Sequence, residues 1–335
     1  MKIYTCTCPF WPGVKTYLKS IHELIKNEIP GANITDFDIN PNGLSYSVLN
    51  KIRNEPPDYL FIGGWDQNIR TIIQNTNKKR TTVVSAWCSP LSQVDLGNEI
   101  VQFVDLINFI KNGYVDYVTC LLYNDYKVLN NLNNSFLYCP VYMDFKEMDS
   151  IIVEKEKHDM LYCDLFCAPN SRKNVFAQIM ILSYFKNIKL FTNYGVSKYS
   201  EAAKMFLENK YDYGWMDRNV YLKSIQNMDF SMQCSFSEGF NYTAAEHMYY
   251  GIPTLISKTF PYKYKVGDTK ILEKFIVEDP SNSKEIHDKV SNIINDKNLR
   301  DLIGDFSKES IIITNNENKE SVLEFLNTIL KRKFK

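Results

Sequence analysis

Apolar residues in this chain come in short runs, separated by stretches where they recur every three or four positions. Lys2-Ile3-Tyr4-Thr5-Cys6 reads as an opening strand. Val14, Tyr17, Leu18, Ile21, Leu24 and Ile25 fall on one stripe, which predicts a helix over Val14–Ile29 that Pro30-Gly31 stops. The run from Asp58 to Gly64 reads as a buried strand ending in a loop, and Thr81–Trp87 as another. Strands that alternate with helices predict a parallel sheet with right-handed crossovers.

The alternation restarts in the second half. Strands are expected over Met160–Cys167, Ile188–Thr192, Tyr211–Tyr213, Phe230–Cys234 and Thr254–Ser257. Helices are expected over Val175–Phe185, Ser200–Asn209, Val220–Asn227 and Thr243–Tyr250, the last ended by Gly251-Ile252-Pro253. Between the halves, Glu147–His158 is rich in charge and reads as a connection or a solvated helix. The expected organisation is an N-terminal Rossmann-like domain over 1–145, a connection over 146–158, a second Rossmann-like domain over 159–318, and a helix with a basic tail over 319–335. Two such α/β units facing a central cleft would bind ligands at the carboxyl ends of their strands.

Composition narrows the field. The 335 residues are 44% hydrophobic and 23% charged, which excludes global disorder. Lys and Arg together number 39, as do Asp and Glu, so a strongly basic nucleic-acid footprint is absent. No apolar run of about 18 residues is present, so no transmembrane helix is expected. The first residues lack the apolar segment of a signal peptide. The eight cysteines sit mainly inside apolar runs, as buried free thiols of a reducing, cytoplasmic compartment would. Cys163 and Cys167 share one strand face, but core packing accounts for them better than zinc. The basic tail Lys331–Lys335 reads as solvated or as a contact to an anionic membrane surface.

The stretch from Ser235 to Pro253 carries the most chemistry. A strand ends near Cys234, a loop with Glu238-Gly239 follows, and a helix opens at Asn241 or Thr243. Gly239 allows a close backbone approach to a ligand. Asn241 or Thr243 can cap the helix. The amides of Phe240, Asn241 and Tyr242 would then form an anion site suited to a diphosphate. The tyrosines 242, 249, 250, 262 and 264, interleaved with Lys258, Lys263 and Lys265, read as ordinary packing beside a solvated face, or as platforms for sugars or bases.

Ser235, Glu238, Gly239, Phe240, Glu246, Gly251 and Pro253 fit the pattern S-x-x-E-G-F-x-x-x-x-x-E-A-x-x-x-G-x-P, with His247 standing where alanine is usual. In this the chain resembles the GT-B glycosyltransferases, in particular the large retaining group known as family 4. The resemblance implies a nucleotide-diphosphate sugar as donor, foremost a UDP-sugar. It puts Glu238 beside the donor sugar and Glu246 on the ribose hydroxyls. Arg172-Lys173, after a strand and before a helix, looks like the family's cationic pair, which would neutralise the leaving diphosphate in place of a metal. Glu238, Arg172 and Lys173 are therefore the expected catalytic residues. Glu246, Gly239, Phe240, Asn241, Tyr242, Gly13, Met216 and Thr192 are the expected donor contacts. Gly13 stands in the place of the family's glycine loop. Gly214-Trp215-Met216 resembles the turn that frames the base, and Thr192 lies where a glycine near the nucleotide is common. Cys139-Pro140-Val141-Tyr142-Met143-Asp144 looks like the inter-domain turn.

One departure bears on activity. The family's histidine near the donor sugar has no counterpart: Trp87 occupies that point, and the histidines are His22, His158, His247 and His287. No Asp-x-Asp metal motif is evident, so metal independence is expected. The acceptor is open: glycan, lipid, protein or nucleic acid. Two other readings stand beside the transferase: a non-catalytic nucleotide-sugar binder or partner subunit, and an epimerase of the same fold.

Overall fold

The computed structural model describes residues 1–8, 12–40, 43, 46–94, 99–168, 170–195, 197–264 and 269–331. Of the residues singled out above, Lys265 and the tail from Arg332 lie outside them. The chain forms two compact units. The first is Met1–Met143 together with the chain from Asn315, and the second is Asp144–Thr314.

The first unit runs β1 (Lys2–Thr7), α1 (Pro12–Glu28), β2 (Asn33–Asp38), α2 (Tyr46–Asn54), β3 (Tyr59–Gly63), α3 (Gln67–Gln74), β4 (Thr82–Ala86), α4 (Leu91–Val94), α5 (Glu99–Lys111), β5 (Tyr117–Cys120), α6 (Tyr123–Leu132) and β6 (Phe136–Tyr138). Its six strands are parallel, in the order β2-β1-β3-β4-β5-β6. Central strands of a parallel sheet are covered on both faces, hence their continuous apolar runs. Ile3, Cys6, Leu60, Phe61, Ile62, Val83 and Val84 have no exposure. The edge strand β2, Asn-Ile-Thr-Asp-Phe-Asp, is half open to solvent and correspondingly polar.

The second unit runs α7 (Lys146–Asp149), β7 (Leu161–Leu165), a 3-10 turn (Ser171–Lys173), α8 (Val175–Leu182), β8 (Ile188–Thr192), α9 (Lys198–Phe206), β9 (Lys210–Asp212), α10 (Arg218–Ile225), β10 (Phe230–Gln233), α11 (Tyr242–Tyr249), β11 (Thr254–Ser257), α12 (Thr269–Phe275), β12 (Ile276–Val277) and α13 (Ser283–Asn295). Its sheet is again parallel and six-stranded, in the order β12-β11-β10-β7-β8-β9. Helix α14 (Lys297–Leu330) starts here, and its residues from Asn315 group with the first unit.

Two contacts of α14 matter later. A Cβ on Gly304 would lie 2.3 Å from the carbonyl oxygen of Gly251, the positive-φ residue that ends α11. Further along, Asn315 accepts from the Met143 amide at 2.7 Å and donates to the Met143 carbonyl at 2.9 Å, while Asn318 donates to the Val141 carbonyl at 2.7 Å.

All eight cysteines are unpaired; seven are buried and Cys88 is half-buried. Burial pushes the thiols of Cys6, Cys88 and Cys120 up to about 12, which keeps them protonated and inert at neutral pH. Trp87 is buried and leans on Phe103 with ring centroids 5.4 Å apart, as part of the core of its unit.

Candidate active site

The site of the second unit is built on two loops that leave neighbouring strands at their carboxyl ends. The loop after β7 tightens into the 3-10 turn Ser171-Arg172-Lys173, which closes with Asn174 in the left-handed region at φ 52°. The loop after β10 runs through Ser235, Glu238 and Gly239 into α11. Phe236 donates its amide to the Arg172 carbonyl at 2.8 Å, which stitches the two loops together. Buried Gln178 adds a second tie: it donates to the Lys173 carbonyl at 2.8 Å and accepts from the Cys234 amide at 2.9 Å.

Glu238 is 4% exposed. A carboxylate that dry needs compensating charge and hydrogen bonds. Lys173, also buried, donates to its Oε1, and Arg172 donates to its Oε2 at 3.2 Å. Asn241 donates to Oε1 at 3.3 Å and to Gln233 at 3.1 Å. The residues expected to neutralise a diphosphate are thus gathered on the carboxylate expected beside the sugar. Two cations against one carboxylate leave this cluster with a positive charge to spare.

Helix α11 opens at Tyr242, one residue before the predicted start, and Asn241 is its cap. Asn241 adopts φ 67°, and its side-chain oxygen accepts from the Ala244 amide at 3.0 Å. Its carbonyl accepts from Tyr262 at 2.7 Å. Phe240 is buried between Tyr242 and Tyr262, with ring centroids at 5.5 and 5.4 Å, so it shapes the loop as core. Gly239 is half-buried between Glu238 and Phe240.

Glu246, one turn into α11, is buried and bound by Arg218 at 2.5 Å. His247 beside it is fully buried, with Nε2 2.5 Å from Asp164 of β7. Its Nδ1 lies 2.7 Å from the Thr243 carbonyl. Burial alone would lower the His247 pKa, but the Asp164 charge and hydrogen bond, the Thr243 carbonyl and the Glu246 charge together outweigh it and raise it.

The remaining expected contacts are more scattered. Thr192 ends β8, buried, and its carbonyl accepts from the Tyr213 amide at 2.9 Å. Asp212 then organises the loops after β8 and β9: it accepts from the amides of Gly195 and Gly214 at 3.2 and 2.9 Å and from Ser200 at 3.0 Å. Met216, half-buried, receives the Ser224 hydroxyl at 3.8 Å, while Trp215 stands 81% exposed. Gly13 belongs to the other unit, exposed in the first turn of α1. Sequence reasoning passed over Arg218, Asp164 and Gln178.

A family model described as Glycosyl transferases group 1 matches residues 197–310. That span holds Glu238, Glu246 and Arg218, and begins after Arg172 and Lys173. No curated protein matches the chain. Solved structures match along nearly its whole length at low identity. HepE of Anabaena, solved with UDP and glucose, gives a TM-score of 0.70 at 12% identity, covering 96% of this chain and 99% of its own. Sucrose-phosphate synthase from Thermosynechococcus elongatus gives 0.68 at 12%, covering 99% and 98%. A putative UDP-N-acetylglucosamine 2-epimerase from Listeria monocytogenes gives 0.62 at 11%, covering 100% and 99%. The chain therefore has the GT-B fold, and its residues 197–310 match the glycosyl transferases group 1 family.

Proposed function

We propose that the protein is a glycosyltransferase that moves a sugar from a nucleotide-diphosphate sugar, foremost a UDP-sugar, to an acceptor, with retention and without metal. The observation that carries this reading is the Arg172–Lys173–Glu238 cluster, with its spare positive charge, at the carboxyl ends of β7 and β10. An α/β sheet binds its ligands at that edge. HepE, similar in fold, is solved with UDP and glucose, which supports a UDP-sugar donor.

In the proposed reaction the bond between the anomeric carbon and the diphosphate oxygen breaks, and the acceptor oxygen bonds to that carbon on the same face. The acceptor proton passes to the departing phosphate. Arg172 and Lys173 meet the charge that develops on the diphosphate, where preorganised cations do most for the barrier. Glu238 fixes both cations and orients the sugar. Glu246 accepts from the ribose hydroxyls, and the Gly214-Trp215-Met216 turn frames the base. No helix among the described residues is long and apolar enough to cross a membrane. The unpaired thiols support a cytoplasmic location.

The test is a thermal-shift panel of UDP, GDP, ADP and CMP sugars with EDTA present, followed by product analysis. A ligand at a hundredfold excess over Kd stabilises by about 2.7 kcal/mol, enough to read. A shift with one nucleotide family and release of its diphosphate on acceptor addition is the expected result. A flat panel overturns the donor site, and loss of activity in EDTA overturns metal independence. Recovery of an epimeric sugar nucleotide would favour the epimerase reading, which the Listeria match motivates.

A further inference from the structure

Glu246 has a partner that neither motif spacing nor helix position announces. Arg218 opens α10 and reaches across to α11, with Nη1 2.5 Å from Glu246 Oε1. Its Nε lies 3.2 Å from Glu147 Oε2 of α7, and its guanidinium sits over the Tyr221 ring at 5.7 Å. The Glu246 side chain is 5% exposed, whereas Arg218 and Glu147 are each more than two-fifths open to solvent.

A carboxylate at that depth calls for a charged hydrogen-bond partner. A free rotamer would also blur where its acceptor oxygens point. Arginine answers both. It never loses its charge, and its rigid fork, braced by Glu147 and Tyr221, fixes one carboxylate oxygen in place.

We propose that Arg218 is the positioning residue for ribose recognition: it holds the Glu246 carboxylate aligned, so that preference for ribonucleotides over 2′-deoxyribonucleotides depends on it. This rests on the reading of Glu246 as the ribose contact. A merely structural Arg218, tying α10 to α11, would affect both kinds of nucleotide alike.

The experiment compares calorimetric Kd values of the full chain for UDP and 2′-deoxy-UDP, with the ADP and GDP pairs alongside. The base that binds most tightly is the one used. Wild type should prefer the ribo form. Arg218→Ala should weaken the ribo form by about tenfold, the weight of one charge-assisted hydrogen bond, and the deoxy form far less, so that the preference collapses. Arg218→Lys should keep part of the preference. If Arg218→Ala does not fold, Arg218→Gln is read by the same ratio. An unchanged ratio in the Arg218 variants overturns the proposal. Glu246→Ala separates the two levels. If it abolishes the preference while Arg218→Ala does not, only the role of Arg218 falls. If it leaves the preference intact, or if no ribonucleotide binds, the ribose reading falls and this proposal with it.

Discussion

His247 on α11 and Asp164 on β7 form an ion pair with no solvent exposure, 2.5 Å apart. The other ring nitrogen faces the Thr243 carbonyl, so both nitrogens lie against acceptors, which raises the ring's pKa. In the first unit His22 is the opposite case. Its Nε2 lies 2.9 Å from the Thr5 hydroxyl and its Nδ1 3.5 Å from Asp36, yet burial outweighs the Asp36 charge and takes its pKa down to about 4. The two units should therefore answer pH in opposite senses. His247, raised, stabilises the second unit fully below the unfolded value of about 6.5, and that contribution is lost as pH rises through the folded value. His22, lowered, costs the first unit stability as pH falls from about 6.5 toward 4, by up to about 3 kcal/mol. Hydrogen exchange read separately for β1–β6 and β7–β12 between pH 4 and 9 checks this. Parallel changes in the two sheets would refute it.

Removing Lys173 should hurt stability as well as turnover. Both Lys173 and Glu238 are buried, and breaking a buried pair strands a charge at roughly 3–5 kcal/mol. Lys173→Met should show that loss in urea unfolding, and adding Glu238→Gln should recover much of it. If the two losses simply add, the pair is not coupled as the structure has it.

At Asn241 two contributions can be separated. The side chain caps α11, worth about 1 kcal/mol, and the backbone holds a left-handed conformation that costs alanine another 1–2 kcal/mol. Asn241→Ala should therefore destabilise more than Asn241→Gly, the reverse of the usual order inside a helix. Equal losses in thermal unfolding would mean that the conformation is not held in solution.

Gly304 lies within α14, where alanine would ordinarily gain about 1 kcal/mol. Here its Cβ would meet the Gly251 carbonyl oxygen at 2.3 Å, a backbone atom that cannot swing aside. Gly304→Ala should lower the melting temperature of the second unit. A rise would mean that α14 does not press on the end of α11.

The central strands were legible because their burial on both faces leaves unbroken apolar runs, as in Leu60-Phe61-Ile62. The polar edge strand β2 and the short β5 and β6 gave no such run and went unread. So did most of α14, where Asn315-Asn316-Glu317-Asn318 breaks the apolar stripe because Asn315 and Asn318 face backbone of the first unit. At the site, residue type in a local frame was enough to single out Glu238, Glu246, Arg172 and Lys173. Their partners were not readable, because Arg218 and Asp164 meet Glu246 and His247 only once distant strands and helices have been stacked.

The pair of hydrogen bonds between Asn315 and Met143 has a genealogical meaning. The chain leaves the first unit and returns to it at one clasp, so the second unit is an insertion whose two ends lie side by side. Such an arrangement is excisable. Joining residue 143 to 315 by a short turn should leave the six-stranded parallel sheet of the first unit able to fold alone. The excised span could likewise be carried by another host, or have its own ends joined and be reopened elsewhere.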